Sequence, residues 1–468
     1  MAAASRVPPG KPSERWTGNA VAAMISAIRP RRPSQRCQLR RSPQEGDPKI
    51  SQTRRLSRHT GMDNTKQHRI LILGAGYAGV MSANRLAGKL GSRVDITLVN
   101  PIPEFVERIR LHEVAARIES DSATRHTVTE LLHPAVRLRL GTATRIRPGD
   151  HEVDCAEPGG QKTWTQSYDE LIYAIGSGSP LAAVPGALEH AHDVSGLDRA
   201  HALRTALDAL PSGKTVLIVG GGTTAIETVT ELGVARPGLS LKIVTSSVLG
   251  PTLSPKARRY LMNAPAMRNV DTIEQTKVAE VTPAGIVTTD GRSIPADCVI
   301  WAASFAVPEV AKDSGLDVDR AGRLTVDSLM RSTQHPDVLG AGDGVVIAGP
   351  EGSTLRMACG TAVPQGAHAA ATIIAGLRGE TPKPFALAYL ALNMSLGPND
   401  GLVQPTRAND SPRDISFTGR FAGWVNELNN RYARLILGWE RQRAGSYHWA
   451  KPRRNASTPT QRQEHARS

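Results

Sequence analysis

Six positions in this sequence carry a spacing that chemistry needs. Gly74, Gly76 and Gly79 form G-x-G-x-x-G, and Gly220, Gly222 and Ala225 repeat that spacing with alanine in the last place. In such a turn the first glycine permits a tight bend, the second lets a diphosphate approach the backbone, and the third lets helix and strand pack closely. The diphosphate then rests on a helix N-terminus, where unpaired N–H groups and the positive dipole end favour an anion. A seventh candidate is Asp343. In "HPDVLGAGDG" (335–344), Val338, Leu339 and Ala341 read as a short apolar strand, and the Gly-Asp-Gly puts a carboxylate at its carboxyl end, the edge where doubly wound sheets bind ligands.

The flanking elements fit the turns. Ile70 to Leu73 make a continuous apolar run, as in a strand buried on both faces of a parallel sheet, and Ala78, Val80, Met81, Ala83, Leu86 and Leu90 continue as a helix with an apolar stripe. Val216–Val219 and the helix bearing Ile226, Val229 and Leu232 repeat the arrangement around the second turn. Two dinucleotide-binding units in one α/β chain are therefore predicted. Each also departs from the pattern about 20 residues past its glycines, where an acid would take a ribose hydroxyl. The first has Asn100, at the end of "VDITLVN" (94–100), and the second has Thr245, followed by Ser246 and Ser247. These hydroxyls would tolerate a 2′-phosphate, for which Lys256, Arg258 or Arg259 could be partners; a solvated helix face is the alternative for those bases. NADH and NADPH both stay open as donors.

The pairing of the two turns, with "YDELIYAIGS" (168–177) and the Asp343 segment, resembles the two-dinucleotide-binding-domain flavoproteins, or pyridine nucleotide–disulfide oxidoreductases. The resemblance spans about residues 69–370. It implies two Rossmann-like domains: an FAD domain interrupted by an inserted NAD(P) domain, followed by a small C-terminal region. The corresponding boundaries are a basic disordered leader at 1–61, FAD-domain parts at 66–185 and 297–380, the NAD(P) domain at 186–296, a C-terminal interface or membrane-association region at 381–450, and a basic tail at 451–468. It further implies that Gly176 ends the strand where the chain leaves the FAD domain, and that Asp343 binds the ribityl chain. "DCVIWAASF" (297–305) resembles the family's return strand, with Ser304 in place of the usual glycine.

The four cysteines, Cys37, Cys155, Cys298 and Cys359, are scattered, without C-x-x-C or metal-ligand spacing. That separates the chain from dithiol-relaying members and points to a reducing cytoplasm; no metal is expected. Of the remaining branches it most resembles the type II NADH dehydrogenases. "CGTAVPQGAHAA" (359–370) aligns with their glutamines beside the flavin at the quinone pocket: Gln365 matches one, and Thr361 replaces another. Glu227 occupies the position on the second helix that often faces the flavin, which implies a proton relay. The implied activity is hydride transfer from NAD(P)H to FAD, with electrons passing to a quinone or similar acceptor. A soluble NAD(P)H oxidase or a ferredoxin- or rubredoxin-type carrier reductase is the alternative.

Net charge is +14, yet residues 62–450 carry 39 basic and 39 acidic side chains, so the basicity belongs to the two ends. Nucleic acid is accordingly a poor partner for the body, and a redox sensor binding nucleic acid through its basic leader is the competing reading from another class. The leader's apolar run 20–28 is followed by "RPRRPSQR" and no small-residue cleavage site, which argues against secretion; the ordered pattern after "GMDNTKQ" predicts Met62 as the natural start. In 417–443, Phe421, Trp424, Val425, Leu428, Tyr432, Leu435, Ile436 and Trp439 recur at helical spacing among arginines. Such a helix lies in a membrane interface, packs in a third domain or forms a homodimer face; the resemblance favours peripheral attachment to the inner face of the cell membrane.

Overall fold

The computed structural model of the protein describes residues 67–116, 124–348 and 355–452. The predicted leader, its apolar run and all but the first two residues of the predicted tail lie outside them.

The first apolar run forms β1 (His68–Leu73), which ends at the glycine turn and leads into α1 (Tyr77–Leu90). After β2 (Val94–Asn100) come α2 (Leu111–Ala116), β3 (Val136–Leu140) and β4 (Glu170–Tyr173). The second unit holds β5 (Ala191–His192), α3 (Leu197–Ala209), β6 (Thr215–Val219), α4 (Thr223–Ala235), β7 (Ser240–Val244), α5 (Pro255–Asn263), β8 (Val270–Ile273) and β9 (Cys298–Trp301). β10 (Val338–Gly340) then returns beside β4. The result is two five-stranded sheets, ordered β10-β4-β1-β2-β3 and β5-β9-β6-β7-β8. Every pairing in both is parallel. Both central strands are buried on both faces, which is why they read as unbroken apolar runs.

One boundary moves. The expected division at 296/297 places Cys298–Trp301 in the second part of the FAD domain, but this fully buried strand pairs with β6 from Val216↔Cys298 to Val219↔Trp301. It completes the second sheet, and the chain leaves that unit only after Trp301. Ser304, just beyond, adopts φ +60°, a left-handed conformation that favours glycine.

The last element of the first unit is α6 (Cys359–Leu377), which packs against α1. A hairpin of β11 (Ala391–Ser395) and β12 (Gly401–Pro405) follows, extended by β13 (Phe417–Thr418). Last comes α7 (Gly419–Gln442). Its buried side is Ala422, Asn426, Asn430, Ala433, Ile436, Leu437 and Glu440, against α1 and the hairpin. Of the predicted stripe, Phe421, Trp424, Leu428, Leu435 and Trp439 face outward, Trp424 being 61% exposed, while Ile436 is buried and Tyr432 packs against the core. Polar inward contacts hold the helix down: Arg85 on α1 pairs with the fully buried Glu440 at 2.6 Å, and Asn84 Nδ2 donates to the Leu437 carbonyl.

Candidate functional site

The two glycine turns are built alike, as the space around each glycine shows. A methyl group on Gly74 (φ +100°) would lie 2.3 Å from the Ala174 carbonyl oxygen, and one on Gly79 would lie 1.9 Å from the Gly74 carbonyl oxygen. Both positions are closed by backbone. A methyl on Gly76 would meet nothing within 4 Å, so its surface is open, and it caps α1 without a side-chain hydrogen bond. In the second turn a methyl on Gly220 (φ +140°) would come 2.6 Å from the Ala302 carbonyl oxygen, whereas Gly222 again has nothing within 4 Å. Ala225 is fully buried. Each crevice thus presents bare helix-terminal backbone at one glycine, the feature a diphosphate requires.

Around the first turn, the predicted residues come together at the carboxyl edge of the sheet. Asn100 braces the turn: its Oδ1 accepts from Ala75 N at 2.8 Å and its Nδ2 donates to the Ile102 carbonyl at 2.7 Å. Gly176 adopts φ +82°, and the adjoining Ser177 hydroxyl donates to Asp343 Oδ2 at 2.9 Å. Burial pushes the Asp343 carboxyl up, opposed by the Ser177 bond and the Arg108 charge. Gln365, on α6, is 3% exposed, and its Oε1 accepts from Gly342 N at 2.6 Å, so its carboxamide oxygen holds the turn that carries Asp343. Nearby, the Tyr77 hydroxyl and Ser179 Oγ are buried with no hydrogen-bond partner among the described residues. Open backbone, an inward carboxyl and orphaned hydroxyls fit a bound FAD.

In the second crevice Thr245 is 5% exposed and lies against the turn: a methyl on Gly221 would be 2.3 Å from its Oγ1. Its neighbour Ser246 is exposed. Arg258, one candidate partner for a 2′-phosphate, instead pairs with Glu274 and donates from Nε to the Leu249 carbonyl. Lys256 and Arg259 are exposed on α5.

Glu227 points from α4 to the C-terminal hairpin, where its Oε1 accepts from Ser395 N at 3.0 Å. The Ser395 hydroxyl donates to Glu231 Oε1, one helical turn on, at 2.6 Å. Burial drives the Glu227 carboxyl up to about 8 against the Ser395 bond, and the charges of Glu113 and Glu231 add to the rise. Beside Glu113, His112 is buried, and its imidazole is pushed down to about 4 by burial and by Arg110. Cys359 opens α6, with its thiol raised to about 11 by burial. The sequence reading missed Arg108, Ser395, Glu113 and Glu231. Glu231 stands four residues from Glu227 and was findable by helical spacing; Ser395 and Arg108 gave no local signal.

The model of the pyridine nucleotide-disulphide oxidoreductase family matches residues 68–372. An NADH dehydrogenase-like protein of Mycobacterium tuberculosis is 29% identical over 356 residues, 70% of this chain and 86% of that protein. A type II NADH:quinone oxidoreductase of Haemophilus influenzae is 26% identical over 327 residues, 58% of this chain and 72% of its own length. Among solved structures, NDH2 of Plasmodium falciparum in complex with NADH superposes with a TM-score of 0.65 at 15% identity, over 82% of this chain and 99% of that one. At that identity the likeness shows the fold.

Proposed function

The chain belongs to the pyridine nucleotide-disulphide oxidoreductase family, and from this premise we propose that it carries electrons from NAD(P)H through FAD to a quinone, as a type II NADH dehydrogenase-like enzyme. It is an FAD-dependent NAD(P)H oxidoreductase, with two Rossmann-like units in one chain. The observation that carries the reading is the matched pair of crevices, each closed by backbone at its first glycine and open at its second.

Bound FAD would supply a ring that takes hydride from the nicotinamide and releases electrons to an acceptor. The chain's own part is to bind, orient and handle protons. Backbone N–H groups at the start of α1 and α4 hold the two diphosphates. Asp343, presented by Gly342 and braced by Ser177, takes a ribityl hydroxyl. Gln365 acts by fixing Gly342. Glu227 keeps its proton to about pH 8 and serves as the relay to the acceptor, held in place by Ser395.

The quinone rests on relatives whose names specify it. No helix among the described residues is long and apolar enough to cross a membrane. Attachment is therefore peripheral in this reading, on the cytoplasmic side, through Phe417, Phe421, Trp424, Leu428, Leu435 and Trp439, all at least 40% exposed. Anaerobic titration with NADH and with NADPH, following the flavin absorbance, tests the activity and identifies the donor. Bleaching by either nucleotide and recovery on adding a quinone is the expected result. A protein without flavin, or a flavin that neither nucleotide reduces, overturns the reading.

A further inference from the structure

Arg108, Arg110 and Arg85 are all drawn into the protein, and two of the three have carboxylate partners. Arg85 pairs with Glu440. Arg110 pairs with Glu113 at 2.9 Å and with Glu427 at 2.5 Å. Arg108 stands apart. The short turn Arg108–Arg110 sends the two side chains in different directions, and the Arg108 guanidinium reaches the crevice of the first sheet. There it makes one hydrogen bond, from Nη1 to the Ser177 carbonyl at 2.7 Å, leaving four of its five N–H donors without a protein acceptor among the described residues. Asp343 and Asp193 are near enough to favour its charge, yet neither forms an ion pair with it, and burial lowers its pKa in spite of both.

Arg108 is half-buried, so water reaches its free donors only in part, and a partly desolvated guanidinium without a paired anion carries a cost. Its surroundings say what would offset that cost. Nη1 stands 3.9 Å from where a methyl on Gly176 would be. Ser177 links it to Asp343, and Gly342, beside Asp343, faces Ala78 in the first turn of α1. The cation therefore lies at the carboxyl edge of β4, linked through Ser177 to Asp343 beyond β10, and Gly342 beside Asp343 packs on the first turn of α1. A planar fork of donors matches phosphate oxygens, and a neutral ribityl hydroxyl would leave its charge unbalanced.

We propose that Arg108 is a phosphate-binding residue of the FAD site, its guanidinium pairing with the diphosphate held on the Gly74–Gly79 turn. The inference rests on the FAD reading and adds to it a side-chain cation that the glycine pattern does not reveal. The test compares the wild type, R108Q and R108K for FAD release from the holoprotein, read by flavin fluorescence. Titration of the apoproteins with FAD, with riboflavin, which has no phosphate, and with NADH completes it. R108Q weakens FAD about 10- to 100-fold, the loss of one charge-assisted hydrogen-bonded pair. R108K lies between R108Q and wild type, because it keeps the charge and loses the fork. Riboflavin and NADH binding stay unchanged, and the wild-type preference for FAD over riboflavin falls with salt more steeply than that of R108Q. FAD affinity unaltered in R108Q overturns the proposal, and so does equal weakening of FAD and riboflavin, which would assign Arg108 to the ring, the ribityl chain or the fold. Weakening of NADH alone moves the residue to the other dinucleotide and also overturns it. Should R108Q not fold, as thermal unfolding of the apoproteins reveals, R108K carries the same comparison. A wild type that binds no FAD fails at the earlier step and brings down the flavoprotein reading with this one.

Discussion

Replacing Glu227 by glutamine keeps the shape of the side chain and removes its titration. In the wild type the carboxyl rises from 4.5 to about 8. At about 1.4 kcal/mol per tenfold change this is roughly 5 kcal/mol in favour of the neutral form, an upper bound because the residue is only half-buried and water screens part of the effect. The folded state holds this proton more tightly than the unfolded state does. Glu227 therefore contributes stability in full below the unfolded value of 4.5, and the contribution is lost as pH rises through 4.5 to about 8. The same window governs proton delivery: below about 8 the neutral carboxyl has a proton to give, and above it the relay is empty. The assay is the rate of quinone reduction against pH with saturating NADH, beside thermal unfolding over the same range. Wild type should show an inflection near 8, with the rate falling on the alkaline side. E227Q should lose both the inflection and the pH-dependent component of stability in that window. An inflection that persists at the same pH in E227Q would assign it to another group and refute the relay.

Four further expectations follow from contacts in the structure. Gly76 has φ −75° and open space around it, so G76A should fold normally yet lose FAD, read as the flavin-to-protein ratio, whereas G74A should destabilise the fold, because its methyl runs into Ala174. Q365L leaves the Gly342 N–H buried without its acceptor and should cost about 1–3 kcal/mol in denaturant unfolding, with FAD retention falling together with stability. E440A strands the buried Arg85 and removes the acceptor for Gly445 N and Tyr447 N; a loss of about 3–5 kcal/mol is expected. Trp424→Glu and Phe421→Glu should weaken sedimentation with lipid vesicles while leaving reduction of a water-soluble acceptor intact; unchanged sedimentation with a changed oligomeric state would make this face a subunit contact instead.

The elements that could be read from the sequence are those whose cause is local. β2 spans the seven residues expected, 94–100, and β1 ends as expected at Leu73, because its apolar run Ile70–Leu73, buried on both faces, needs no information from elsewhere in the chain. The glycine turns were readable for the same reason: the first glycine of each adopts positive φ and has a carbonyl oxygen where a methyl would stand, so the turn itself calls for glycine. What could not be read depends on partners far along the chain. Cys298–Trp301 is as apolar as any strand of the first sheet, and only its pairing with β6 assigns it to the second. The inward face of α7 mixes small and polar residues, Ala422, Asn426, Asn430, Ala433 and Glu440, with Ile436 and Leu437, whereas Phe421, Trp424, Leu428, Leu435 and Trp439, which dominate the sequence pattern, lie on the outer face.

The same distinction runs through the site. Asp343 was found because a carboxylate at a strand's carboxyl end is a local pattern, but its brace, Ser177, lies 166 positions away. Glu227 was found on its helix, while the residue that holds it, Ser395, is 168 positions away in a hairpin outside both nucleotide-binding units. Ser395 is bonded to two carboxyl groups on one face of α4, through its backbone to Glu227 and its hydroxyl to Glu231. The C-terminal hairpin thus bears directly on the proton affinity of the proposed relay: the Ser395 N–H is a contact that favours the ionised form of Glu227, against the burial that raises it. Movement of the hairpin away from α4 would break that bond but also let water reach the carboxyl, and since burial is the larger effect the carboxyl would move down. The segment that presents an apolar face to the outside is continuous with the one that sets the chemistry inside, since β12 lies between β11 and β13, and β13 runs straight into α7.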